Sequence, residues 1–228
     1  MSTATASDLT LPVIGGSRHF LIRRLHSLTG LIFGGYVVVH LLVNASIAQG
    51  GEVFQTQVNK IHSLPFLLAI EWAFIFLPII YHTVYGFWIT FTGQPNVGRY
   101  GYAKNWFYFL QRASTFVIVA FLIFHILGMK GLLGGSLAFD AEHSLKTTVR
   151  HITAHWSVAY VIYPVGILAS CYHLANGFWT AAITWGLTIS AAGQRRWGYV
   201  CGGIFVLTLA CGMLALVSVI RLGQIVLH

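Results

Sequence analysis

The stretch FLPIIYHTVYG, residues Phe76 to Gly86, sets an imidazole inside a run too apolar for anything but a membrane. No residue between Glu71 and Arg99 is charged, so His82 has hydrocarbon-like surroundings wherever neighbouring helices do not shield it. A polar group left unpaired in lipid costs several kcal/mol, so this ring needs a partner. The same problem recurs at His40, His125 and His173, each within an apolar run. Four such histidines, one per successive helix, indicate a chain organised around something the histidines hold.

The composition agrees. Of 228 residues, 57% are hydrophobic and 8% charged, the balance of an integral membrane protein. Five helices with short loops use nearly the whole chain, leaving no sizeable soluble catalytic domain. Chemistry on a water-soluble substrate must then belong to a partner. Cys171, Cys201 and Cys211 have neither CxxC nor CxxCH spacing, which argues against a disulfide framework, a zinc site and covalently attached haem. Residues 1 to 17 carry no basic residue and no signal-peptide pattern, so insertion without cleavage is expected.

The fold expected is all-α, an integral membrane bundle of five transmembrane helices. Residues 1–20 read as a tail and 21–228 as the membrane domain. The spans are expected at about 25–48, 66–91, 112–129, 155–187 and 197–220, each near the ~20 residues that cross a bilayer. Alternation puts Arg18, Arg23, Arg24, Arg99, Lys104, Arg112, Arg195 and Arg196 on one face with a single acid, Asp8. Lys60, Lys130, Lys146, Arg150 and Arg221 lie on the other, offset by Glu52, Asp140 and Glu142. The positive-inside rule then makes the N-terminus cytoplasmic. The net charge of +8 reflects this asymmetry and does not indicate nucleic-acid binding. No repeat with matching sequence is expected.

Counting 1.5 Å per residue along alternating helices gives two tiers of histidines, about 10 to 15 Å apart. His40 and His125 share the outer depth, His82 and His173 the inner. Two neutral imidazoles from facing helices are the ligand set of a bis-histidine b-type haem. Two pairs would place two haems in line across the membrane. Gly86 and Gly177, four residues after the inner ligands, and Gly128, three after His125, would admit a flat macrocycle.

Three further residues are candidates. His26 lies 14 residues before His40, near the same helical face. It could reach a propionate of the inner haem, as could Ser27, or be an interfacial histidine beside Arg23 and Arg24. Glu71 is the one acid within an apolar span, a placement costing about 3 kcal/mol. It reads as a proton-handling group beside the outer haem, or as a carboxyl at the outer headgroups. His19, His62, His143, His151, His155 and His228 lie near ends or in loops and need no special role.

At RRLHSLTG (Arg23 to Gly30), HLLVN (His40 to Asn44), IEWAFIFLPIIYHTVYG (Ile70 to Gly86), NWFYFLQR (Asn105 to Arg112), His125, YHLANGFW (Tyr172 to Trp179) and TWGLT (Thr184 to Thr188), the chain resembles the cytochrome b subunit of succinate dehydrogenases and fumarate reductases of the single-anchor, di-haem type. The resemblance implies a multi-pass protein of the bacterial cytoplasmic membrane, with two b haems. His82 and His173 would hold the proximal haem, His40 and His125 the distal one. It also implies a flavoprotein subunit carrying FAD and an iron-sulfur subunit docked on the cytoplasmic face. Electrons would reach a quinone, menaquinone above all, near the outer side. Some fumarate reductases of this type carry a Glu for proton transfer two residues before the helix-four ligand. Here that position is Cys171, which favours succinate oxidation. Two other readings fit the histidines: the cytochrome b subunit of another quinone-linked enzyme such as a hydrogenase or formate dehydrogenase, and a haem-free transporter using them as a proton relay.

Overall fold

The computed structural model describes residues 14–93, 98, 101–135 and 138–226. Among these the structure consists of helices joined by turns and short irregular segments, with no strand. The helices are α1 (Ile14–Ala45), α2 (Gly51–His62), α3 (Leu67–Thr92), α4 (Ala103–Met129), α5 (Ser144–Thr153), α6 (Val158–Thr184) and α7 (Ala191–Val226). Five of them, α1, α3, α4, α6 and α7, are long and apolar enough to cross a membrane. The chain is an all-α membrane bundle, as the hydropathy pattern requires.

Several boundaries differ from the sequence reading. α1 begins at Ile14, inside the stretch expected as tail; residues 1–13 lie outside the described part, as do Arg99, Tyr100 and His228. α4 begins at Ala103, nine residues before the span expected from Arg112, because a helix runs on past the lipid into the interface. The face carrying the N-terminal end of α1, the loop after α3 and the loop after α6 is here called the basic face, and the opposite one the far face.

The two far-face connections, expected as loops, each contain an amphipathic helix. α2 buries Phe54 and Val58, one turn apart, and places Glu52 in its first turn and Lys60 and His62 in its last, which complements the helix dipole. α5 buries Ser144, Thr148, Val149, His151 and Ile152. Gln55 of α2 joins them. Its Nε2 donates to the Ala141 carbonyl at 2.6 Å, and its Oε1 accepts from the Ser144 amide and hydroxyl at 3.0 and 2.8 Å. The amide bond satisfies an orphan donor at the start of α5.

The membrane helices form two layers. α3 packs on α1, and α4 packs on α6, whereas α3 and α4 meet sparsely. α7 lies behind, against α6 and α1. Both α3 and α6 contain a π turn, Trp72–Phe76 and Val158–Ile162, followed by Pro78 and Pro164. Proline has no N–H to give back to the preceding turn, and the wider π turn absorbs the mismatch. Cys171 is fully buried and within hydrogen-bonding range of Thr208 on α7. All three cysteines are free thiols.

His151 contradicts its expected exposure: it is 2% exposed, and neither ring nitrogen has a hydrogen-bond partner. Its ring fills the space above Gly128, which is why that position is glycine and why Gly128 does not serve a macrocycle. Burial pushes the His151 pKa down from 6.5, so the ring is neutral at pH 7. The unfolded chain takes up this proton more readily, so stability falls as pH drops below 6.5 and is unaffected above it. Replacing an unsatisfied polar group by an apolar one of similar shape is neutral or stabilising. His151→Leu is therefore expected to hold or raise the melting temperature at pH 7.5 and to flatten its decline towards pH 5.5, as followed by circular dichroism in detergent. A fall of several degrees at pH 7.5 would contradict this.

Candidate redox centre between the helix layers

The four intramembrane histidines meet in the pairs that depth implied. His82 of α3 faces His173 of α6 with ring centres 6.1 Å apart and planes at 82°. His40 of α1 faces His125 of α4 at 6.0 Å and 80°. Each pair links one helix layer to the other. Nitrogen–metal bonds of about 2 Å, with about 1 Å from each nitrogen to its ring centre, separate two axial imidazoles by about 6 Å. Both pairs have the spacing of two imidazoles sharing one metal.

The second nitrogen of each ring decides whether Nε2 is free to ligate. His82 Nδ1 donates to the His26 carbonyl at 3.0 Å, leaving Nε2 with a bare lone pair. Ser114 Oγ donates to the Gln111 carbonyl at 2.9 Å and lies 3.0 Å from His173 Nδ1, so it accepts from that nitrogen, with the same result. His125 Nδ1 pairs with the Tyr163 hydroxyl at 2.9 Å. His40 Nδ1 lies 3.5 Å from the Tyr36 hydroxyl. Asn44 Nδ2 donates to the His40 carbonyl at 2.8 Å and stands 3.4 Å from His40 Nε2, which marks that nitrogen as the acceptor. Such partners fix ring orientation and raise ligand basicity in metal sites. Among the described residues no cluster of three or more His, Cys, Asp or Glu could hold a bare metal ion. Two axial rings suit a metal that brings its own equatorial ligands.

Along α4, Ser114, which bonds His173, precedes His125 by 11 residues, and along α6, Tyr163, which bonds His125, precedes His173 by ten, about 15 to 16 Å of rise, at the upper end of the separation expected.

The remaining candidates fall as follows. His26 stacks on His82 at 4.1 Å with planes 10° apart, and its ring lies 3.3 Å from where a Cβ on Gly86 would stand. Ser27 Oγ accepts from Trp185 Nε1 at 3.0 Å. Glu71 is half-buried at the junction of the first turn of α3 and its π turn. It is close enough to Tyr36 to act on it electrostatically, and Tyr36 abuts His40. An opening of about 440 Å³ on the basic face, lined among others by Lys104, Asn105, Tyr108 and Asn176, adjoins Gln111, whose Nε2 donates to the His173 carbonyl at 3.1 Å.

The sequence reading missed the supporting residues Ser114, Tyr163, Tyr36 and Gln111, and also a repeat. Tyr81-His82-xxx-Gly86-Phe87-Trp88 on α3 matches Tyr172-His173-xxx-Gly177-Phe178-Trp179 on α6. Each tyrosine ties its helix to a neighbour: Tyr81 OH donates to the Ile22 carbonyl at 3.4 Å, and Tyr172 OH to the Phe107 carbonyl at 3.1 Å.

These features define a membrane bundle built to present two crossed imidazole pairs, one above the other. The chain is 36% identical over 206 residues to the succinate dehydrogenase cytochrome b558 subunit of Bacillus subtilis, covering 89% of this chain and 98% of that protein. It belongs to the succinate dehydrogenase cytochrome b subunit family. A search against protein-family models gave no match.

Gly30 allows α1 and α3 to approach where His82 bonds His26. A Cβ on Gly30 would lie 2.5 Å from His82 Cε1. Gly30→Ala is expected to displace the ring and destabilise the chain by about 1 to 3 kcal/mol, measured by thermal unfolding in detergent. Gly35→Ala, with nothing within 4 Å, is the control and is expected to leave the midpoint unchanged.

Proposed function

We propose that this chain is the membrane anchor of a succinate:quinone oxidoreductase, carrying electrons through two b haems to a membrane quinone. His82 and His173 hold the proximal haem near the basic face, and His40 and His125 the distal haem near the far face. The observation that carries this reading is the pair of facing imidazole couples at 6.1 and 6.0 Å. In the inner couple Nδ1 is occupied and Nε2 bare; in the outer couple each Nδ1 faces a tyrosine hydroxyl, with Asn44 beside His40 Nε2 as the group a ligated metal would displace, in a chain of the cytochrome b family. Bound there, haem b supplies reversible one-electron exchange at iron.

The chain's own part is to position and insulate. The Nδ1 partners hold each imidazole in the tautomer that ligates. The apolar helices exclude water, and crossing the two layers fixes the rings before any ligand arrives. On the far side, Glu71 offers the carboxylate that gives or takes a proton at a quinone oxygen, with Tyr36 between it and His40. Menaquinone is the quinone this reading names. Succinate is oxidised elsewhere, on a flavoprotein subunit containing FAD. An iron-sulfur subunit docks on the basic face, which the charge asymmetry makes cytoplasmic, near the polar opening beside His173. Cys171 packs towards α7 and carries no carboxyl, which supports succinate oxidation over a proton-coupled fumarate reduction.

A pyridine haemochrome assay of the purified complex is expected to give two haem b per chain. His173→Ala or His82→Ala should remove the proximal haem, and His40→Ala or His125→Ala the distal one. A wild-type protein without haem would end this reading. Glu71→Gln is expected to keep both haems and to slow quinone turnover by about a hundredfold. Unchanged quinone kinetics would move the quinone site away from Glu71.

A further inference from the structure

Two arginines near the basic face have buried N–H groups with no acceptor: Nε of Arg24 on α1 and Nη1 of Arg112 on α4. Both guanidinium groups are held in place by other contacts. Arg24 lies over the rings of Phe20 and Trp185, at 4.4 and 4.8 Å. Arg112 lies over Tyr108 at 4.0 Å, and its Nη2 donates to the Ile89 carbonyl at 3.0 Å. Its guanidinium occupies the space over Gly93 where a side chain would otherwise stand.

A guanidinium keeps its charge, so a buried donor of this kind calls for an anionic acceptor. Among the described residues the chain offers none nearby. Of its five acids, Glu52, Glu71, Asp140 and Glu142 lie towards the far face, and Asp8 is outside the described residues. The two cations also bracket one of the imidazole pairs. Ile89 follows His82 by seven residues, on the same helical face and about 10 Å nearer the basic face. Arg24 precedes by two residues His26, whose carbonyl holds His82 Nδ1.

We propose that Arg24 and Arg112 are the anchors for the two propionate carboxylates of the macrocycle held between His82 and His173. This rests on the haem reading above, and it adds two cations to His26 and Ser27: His26 Nδ1 is likewise buried without a partner, and Ser27 Oγ, which accepts from Trp185, keeps its own proton to donate. Charge-assisted, bidentate pairing of arginine with carboxylate is the strongest of the ordinary hydrogen bonds. A lipid phosphate at this depth presents similar chemistry, so the test must separate the two sources.

The intact complex is purified as wild type, Arg24→Gln, Arg112→Gln and the double variant, with Arg196→Gln as an exposed basic-face control. Three quantities are read: the midpoint potential of each haem, the rate of haem release to apomyoglobin, and bound lipid phosphorus. Each single variant is expected to lower the proximal potential, since a lost cation favours the ferric state, and to leave the distal potential unchanged. Proximal haem release should quicken by about tenfold per arginine, with lipid phosphorus constant. Unchanged proximal potential and release would overturn the proposal, and so would a loss of lipid phosphorus without a change at the proximal haem. Should a Gln variant fail to assemble, Arg24→Lys and Arg112→Lys decide. They keep the charge, so the proximal potential should stay near wild type while release still quickens, and unchanged release overturns the proposal. Haem missing from wild type would instead remove the underlying reading, before any variant is made.

Discussion

An imidazole surrounded by hydrocarbon must have both nitrogens accounted for, and this chain meets that constraint four times at two depths. One nitrogen of each ring is met by a group on the same or an adjacent helix: a carbonyl for His82, hydroxyls for His173, His125 and His40. The second nitrogen is left bare on His82, His173 and His125, and on His40 it has Asn44 beside it. Much of the bundle follows from supplying those partners. α1 must approach α3 closely enough for the His26 carbonyl to reach His82, which requires glycine at 30. α4 must lie against α6 so that Ser114 and Tyr163 can reach across.

The sparse contact between α3 and α4 is then intelligible. In lipid there is little hydrophobic drive to bring helices together, so they pack where small or polar residues make contact worthwhile. α1 with α3 and α4 with α6 have such contacts, and the slots between the layers are reserved for the imidazole pairs. The far face is closed by α2 and α5, joined through Gln55. Among the described residues the basic face has no such helix; cations and the opening lined by Lys104, Asn105, Tyr108 and Asn176 are found there.

Much of this was legible in the sequence because membranes simplify the reading. Five apolar runs gave five spans, and histidines stand out where so few polar residues occur. What remained hidden has physical causes. α2 and α5 are amphipathic, so averaging hydropathy along them makes them look like loops. His151 looks exposed by position, and only packing reveals that its ring fills the place Gly128 leaves. Ser114 and Tyr163 are ordinary residues in an apolar run until the neighbouring helix is in place. Arg24 and Arg112 look like the other basic residues in the letters and are distinguished by buried N–H groups that lack a partner among the described residues. The repeat around His82 and His173 is visible in the letters, although it covers only five positions of each helix and the helices around it do not match.

The two imidazole pairs are crossed, with planes at 82° and 80°. Low-temperature electron paramagnetic resonance of the oxidised, haem-containing complex tests this geometry. Perpendicular axial imidazoles leave two iron d orbitals nearly equal in energy, so orbital angular momentum is not quenched. The result predicted is two low-spin ferric signals, both strongly anisotropic. A high-spin signal, or the ordinary rhombic spectrum of parallel imidazole planes at both haems, would contradict the four-histidine assignment.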